Sequence, residues 1–462
     1  LKGPAKRTAI ELQLLTRQIA STTITKTQRE ILEKRQEVLE KALYRLSAIN
    51  NQRIYEVRDV ANALKKNSVL IEYQRFNPYL YGPVHELKKN FGSPRYLALI
   101  LQPNGEVKSV DLGLASTIEK KIHAALSATQ IAGKDSQELW DEVSKSIISP
   151  LVKHIEKPTT LFISPDSEIN KVPFSTLKYL NDSTFLSQNK RINLITTGRE
   201  LLGLKKKEKA NHTKPLVIAN PNFDHKLNKN DFLITSEKKI LPQLRSKSLI
   251  SKRWNSLKGT EKEGKAIAKL INANYITGED ASSLMLQEST SPRILHLATH
   301  AYYFDEKDDH ENPLQRSGIV LAGANQPDFN PQDDGYLTAL EITKMNLVGT
   351  EMFVVSGCDS AKGDLLNGEG VYGIKRAIRV SGARSSLLSL WKVDDDATAA
   401  FMTRFYQLLK NGYRKDIALT QTQSDFREGL IISEKPEEFN WENPFYWAPF
   451  QLTGDLRSIK KL

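Results

Sequence analysis

From residue 259 onward, strand-like and helix-like segments alternate with little interruption. A helix-like stretch at 260–272 leads into NYITG, a helix near 280–288, then RILHLAT (293–299) and GIVLAG (318–323). A helix at 337–344, MFVVSG (352–357), a helix at 369–380 and SSLLSLW (385–391) follow. Helices at 395–411 and 414–429 and a last strand in YWAPFQLTG (446–454) complete the run. The strands are mostly continuous apolar runs, so both of their faces need cover. A mostly parallel sheet with helices on each side meets that need. In such sheets the loops at the carboxyl ends of the strands converge on one crevice, and chemistry collects there.

The preceding part reads differently. SVLIEY (68–73) and YLALILQ (96–102) are strand-like, and Pro103, Asn104 and Gly105 turn the chain into EVKSVDLG as a hairpin. Amphipathic helices near 116–128 and 136–155 are followed by strands TTLFIS (159–164), RINLITT (191–197) and PLVIAN (215–220). Residues 221–256 are rich in Lys, Asn and Ser and read as a long exposed loop. SKRWNSLKG (251–259) is surface-like and carries no clear role. Residues 1–66 look helical throughout, with apolar residues of TQREILEKRQEVLEKALYRLSAI near helical spacing. No two copies of a repeat are found, so this segment is a helical hairpin or the end of a helical repeat array.

Composition narrows the setting. No apolar stretch approaches the about 20 residues that span a bilayer, and no secretory pattern opens the chain. One cysteine in 462 residues excludes an internal disulfide framework and a cysteine-rich zinc site. A reducing, cytoplasmic setting without membrane contact is expected. The net charge is +12, from 66 basic and 54 acidic residues. That balance suits a soluble basic surface or an acidic partner such as nucleic acid, but no recognition module accompanies it.

Two strands run into reactive residues. RILHLAT leads to His300, and MFVVSG leads to Cys358. If those strands are parallel neighbours, both side chains emerge at one sheet edge. A thiol attacks only as its thiolate, and a nearby imidazole can take its proton. His300 would then protonate a leaving amine, and N–H groups near Gly357, Cys358 and Ala301 would hold the oxyanion. A buried structural cysteine and a hydrogen-bonded core histidine is the other reading of the same residues. Against it stand Gly357, which permits a sharp turn, and the polar loop-like residues 359–364.

HLATHAYY, VVSGCDSAKGD, GEGVYGIKRAIRVSGARSSLLSLWKVDDDAT and NPFYWAPFQLTGD resemble the signature blocks of CHAT domains. These are caspase-like cysteine peptidases related to separase and often attached to tetratricopeptide repeats. LFISPDSEINKVPFSTL, TGREL, LVIANPNF and LKGTEKEGKAI resemble the family's first half, so the resemblance spans about 66–457. It implies a caspase-like α/β fold in two halves: a mostly parallel sheet flanked by helices. The halves would be a pseudo-caspase unit at 67–255 and a catalytic unit at 256–462, behind the helical segment 1–66. It implies peptide-bond hydrolysis by a dyad of Cys358 and His300, with the backbone of Ala301 and Cys358 as oxyanion hole. The family usually has Gly where this chain has Ala301, which leaves the N–H but restricts φ.

Other motifs have simpler readings. Gly368, Gly370 and Gly373 match GxGxxG, but a polar loop separates them from the preceding strand and no acid closes the following one, so nucleotide binding is not expected. His296 and His300 stand four apart on a strand without a nearby carboxylate at metal spacing; His296 reads as a core histidine, and no metal site is expected. Asp394, Asp395 and Asp396 suit the capped start of a helix. In separase-like relatives an acid in this region faces a basic side chain before the scissile bond, which makes Asp395, with Asp359 and Trp391, a candidate substrate pocket. Trp391, Trp441 and Trp447 are most simply core aromatics.

The expected function is cysteine-type endopeptidase cleavage of a protein substrate, without cofactors, switched on by a partner or signal that engages the N-terminal helices. The rival readings are a silent caspase-like scaffold and a protease subunit governed by a nucleic-acid-sensing complex.

Overall fold

The structure is a computed structural model. It describes residues 55–80, 90–179, 184–205, 211–226, 253–303, 314, 317–326, 333–357, 364–366, 370–391, 393–460 and 462, with scattered helical positions between 11 and 39. The first five strands are β1 (Ser68–Phe76), β2 (Arg95–Leu101), β3 (Val107–Leu114), β4 (Thr160–Ser164) and β5 (Arg191–Leu194). Then come β6 (Leu216–Pro221), β7 (Asn274–Gly278), β8 (Ile294–Ala298), β9 (Ala301–Tyr303), β10 (Ser317–Val320), β11 (Tyr336–Thr338) and β12 (Met352–Val355). β13 (Asp364–Leu366), β14 (Gly370–Tyr372), β15 (Ser385–Ser389) and β16 (Phe450–Gly454) follow. Helices that matter below are α1 (Val57–Ala63), α2 (Ala115–Gln130), α3 (Ser136–Ile147), α4 (Lys258–Ile271), α5 (Ile374–Val380), α6 (Asp395–Lys410) and α7 (Lys415–Arg427).

Eleven strands share one sheet, in the order β3-β2-β1-β4-β5-β16-β15-β12-β8-β6-β7. β1, β4 and β5 are mutually parallel, as are β7, β6, β8, β12 and β15. β16 joins the groups, antiparallel to β15 and parallel to β5 through Thr453 and Leu194. The resulting mixed α/β architecture is the caspase-like fold that the sequence blocks imply.

The middle of the sheet is dry. Every residue of β8, β12 and β15 is buried; β12 is apolar throughout, whereas β8 carries His296 and β15 carries Ser385, Ser386 and Ser389 among apolar residues. α6 lays Phe401, Met402, Phe405, Leu408 and Leu409 into the core at helical spacing. Asp394 caps it by accepting the N–H groups of Asp396 and Ala397, both at 3.1 Å, a contribution of about 1 kcal/mol. Beside the joining strand, Arg384 Nε donates to Asp455 at 2.8 Å.

Four elements depart from expectation. The helix expected at 136–155 stops at Ile147, and Pro150 lies in a tight turn at Ser149–Leu151 before a last turn at Val152–Ile155, because proline cannot supply the next helical N–H. The helix expected from 369 begins only at Ile374. Gly373 sits at φ 133°, where helix cannot propagate, and β14 pairs with β13 before it. GIVLAG does not enter the main sheet; β10 is the centre of a small antiparallel sheet, β11-β10-β9. β6 comes from the stretch expected in the first half, yet it pairs with β7 and β8. Most of the helical segment 1–66 lies outside the described residues.

Candidate active site

β8 and β12 are parallel neighbours, with Leu297 opposite Val355. Ser356 N–H still donates to Leu297 O at 3.1 Å, so the strands stay joined to their ends. Beyond that point Gly357 lies against the chain on both sides of His300. A β-carbon at Gly357 would overlap the carbonyl oxygen of Thr299 and stand 3.2 Å from the amide nitrogen of Ala301. Only a residue without a side chain fits there. Cys358 and Asp359 lie outside the described residues.

The direction of the Ala301 amide follows from its strand pairing. Val320 N–H donates to His300 O at 2.9 Å, and Ala301 is paired with Ile319. Adjacent antiparallel pairs alternate, so Ala301–Ile319 is a pair without ladder bonds and the Ala301 N–H turns away from β10, toward Gly357.

His300 is held on three sides and is 8% exposed. Its ring lies between Phe223, at 5.3 Å between centroids, and Trp254, at 5.2 Å. Its Nε2 is 2.9 Å from Asn255 O. A carbonyl only accepts, so Nε2 carries the proton and Nδ1 is the basic nitrogen of the neutral ring.

The residue before Asn255 is itself fixed on both sides of its α-carbon. Asn325 Oδ1 accepts Trp254 N–H at 2.8 Å, and Asn325 Nδ2 donates to Trp254 O at 2.9 Å. Trp254 Nε1 donates to Tyr336 OH at 2.9 Å, and that hydroxyl donates to Ala324 O at 3.2 Å. The stretch expected to be an exposed loop with no role thus contributes a tryptophan that is 4% exposed and a hydrogen bond to the histidine. Sequence reading missed Phe223, Trp254, Asn255 and Asn325. The available signals were a lone Trp in a Lys/Asn/Ser-rich stretch and a Phe just beyond the end of β6, the strand beside β8.

The remaining candidates make other contacts. His296 is fully buried, with Nε2 3.0 Å from Glu263 Oε1 and Nδ1 3.1 Å from Tyr406 OH. Both ring nitrogens are thereby satisfied, as in a core histidine. Burial and then Glu263 push the Tyr406 hydroxyl well above the usual phenol range. Asp394 is the helix cap, and Asp395 is the first residue of α6, half-buried against Gly259. Trp391 is packed in the core with its indole N–H on Phe445 O at 2.9 Å; it presents no face to solvent that could wall a pocket. Among the described residues, no group of three or more His, Cys, Asp or Glu could hold a metal ion, and no helix is long and apolar enough to cross a membrane.

Residues 134–455 match the CHAT domain family. Tetratricopeptide repeat protein 28 of Homo sapiens is 23% identical over 235 residues, which is 46% of this chain and 9% of that protein. Its Mus musculus counterpart matches to the same extent. The chain spans only 9% of the length of these relatives. Among solved structures, a chain of the Saccharomyces cerevisiae separase–securin complex is similar with a TM-score of 0.50 and 10% identity, over 96% of this chain and 33% of that one. At that identity the likeness is one of fold.

Proposed function

We propose, from the premise that this chain belongs to the CHAT domain family, that it is a cysteine endopeptidase acting through Cys358 and His300. The observation that carries this reading is Gly357 pressed against the backbone on either side of His300, because Cys358 is the next residue. His300 Nδ1 takes the Cys358 proton, and the thiolate attacks the carbonyl carbon of a peptide bond. The N–H groups of Ala301 and Cys358 hold the oxyanion. As the C–N bond breaks, the imidazolium gives its proton to the amine, leaving a thioester. Water, deprotonated by His300, attacks the thioester; the acid product leaves, and the sulfur regains its proton. Throughout, Asn255 O keeps the ring oriented by holding Nε2–H.

The direct test is a thiol-reactive peptide probe applied to wild type and to Cys358→Ala, alone and with candidate partner proteins. Labelling of wild type alone is expected. Equal labelling of both proteins, or of neither under any condition, ends the peptidase reading. Activation by a partner that engages residues 1–66 is part of the proposal, and low basal labelling goes with it. The separase neighbour was solved in complex with securin, which is in keeping with a bound protein partner here.

Asp395, with Asp359, is assigned the selection of a basic residue before the scissile bond by charge pairing. In a peptide panel varying that residue, Arg and Lys are expected to be cleaved at least about tenfold faster than Leu. Equal cleavage after Arg and Leu removes Asp395 from that role.

Asn325 is a positioning residue, since it acts through the 254–255 peptide. Asn325→Ala is expected to lower kcat by about tenfold with KM little changed, because a misaligned base slows the chemical steps more than binding. Parallel changes in both constants would assign Asn325 to general packing instead.

A further inference from the structure

A cavity of about 800 Å³ lies at the edge of the first group of strands. Its walls include Glu72 of β1, Ser164 at the end of β4, and residues 196–199 just beyond β5. α5 closes it with Lys375, Arg376 and Arg379. β5 is parallel to β16, and β16 is antiparallel to β15. The strand ends here therefore open on the sheet edge opposite to that of His300. The cavity is not an extension of the site already described.

Its acids are committed to the protein. Glu72 accepts Gly198 N–H at 2.7 Å. Asp166 accepts the N–H groups of Arg75 and Ser167, both at 2.8 Å. Glu200, beside the cavity, accepts Thr196 N–H at 2.9 Å and pairs with Arg379 at 3.0 Å. Lys375 is different. It is 6% exposed, and its ammonium makes no hydrogen bond or ion pair among the described residues. Burial drives its pKa down to about 8, against the opposing pull of Glu200. Such an ammonium has three donors and a desolvated charge left to satisfy. Arg199 and Arg376 stand exposed at the rim, where guanidinium groups match the geometry of phosphate oxygens.

We infer that this cavity binds a small phosphorylated molecule, with Lys375 holding a phosphate oxygen at its floor and Arg199 and Arg376 at its mouth. The volume falls within the range of small-molecule sites.

Isothermal titration of the intact chain with inorganic pyrophosphate tests this without any use of peptidase activity, so the outcome is independent of the proposed function. Saturable binding with Kd below about 1 mM is expected. Lys375→Met is expected to weaken it at least about tenfold, and the exposed Arg376→Ala, which leaves the buried core untouched, by about three- to tenfold. No saturable heat up to about 10 mM overturns the inference. So does undiminished binding by Arg376→Ala together with a folded Lys375→Met.

Discussion

His300→Gln is expected to lower kcat/KM by about 10³-fold while leaving the denaturation midpoint nearly in place. A general acid–base group contributes roughly 10² to 10⁴ in rate, and glutamine has no nitrogen that titrates. Its planar amide is suited to the slot between Phe223 and Trp254 and can still donate to Asn255 O, so the bond that fixes the histidine has a substitute. The expected signature is therefore an intact fold with lost chemistry, read by steady-state peptide cleavage beside a urea titration. Cleavage by His300→Gln at the wild-type rate would remove the histidine from the mechanism.

Gly357→Ala is expected to damage both stability and activity. The methyl group would meet the Thr299 carbonyl, which is backbone, and neither strand end can move aside cheaply. Thr299 Oγ1 donates to Val320 O at 2.7 Å, His300 O accepts from Val320 N, and Ser356 N is tied to Leu297 O. Overpacking a rigid site costs about 1–3 kcal/mol and sometimes more; here about 3 kcal/mol is expected. A displacement of about 1 Å between the reacting groups costs about 10²-fold in rate. Thermal unfolding and probe labelling read the two effects separately. A fully stable Gly357→Ala protein that labels like wild type would contradict the close approach on which the site is built.

What the sequence disclosed follows from what side chains can encode. β8 and β12 were legible because strands buried on both faces are dominated by apolar residues, and β15 because its Leu387 and Leu388 sit among small residues between two helix-like stretches. His300 was legible because it stands where such a run ends. Asn255 was not, since its contribution is a carbonyl that every residue possesses. Trp254 was hidden among charged and polar neighbours, and only the tertiary arrangement shows that Phe223, Tyr302 and Tyr336 surround it. The start of α5 was misplaced because GEGVYGIKRAIRV keeps a helix-like pattern, and the boundary lies in one glycine's φ rather than in polarity. The place of β6 beside β8 was equally silent: an apolar strand does not announce its neighbour.

The position of β16 bears on how the chain is made. Both groups of strands leave the ribosome before residue 450, yet β5 and β15 meet only through β16. Until it emerges, each group presents an unpaired strand to its surroundings. At about 5–20 residues per second, the roughly 60 residues between β15 and β16 keep that gap open for several seconds. Nascent chains are thus expected to depend on chaperones during this interval.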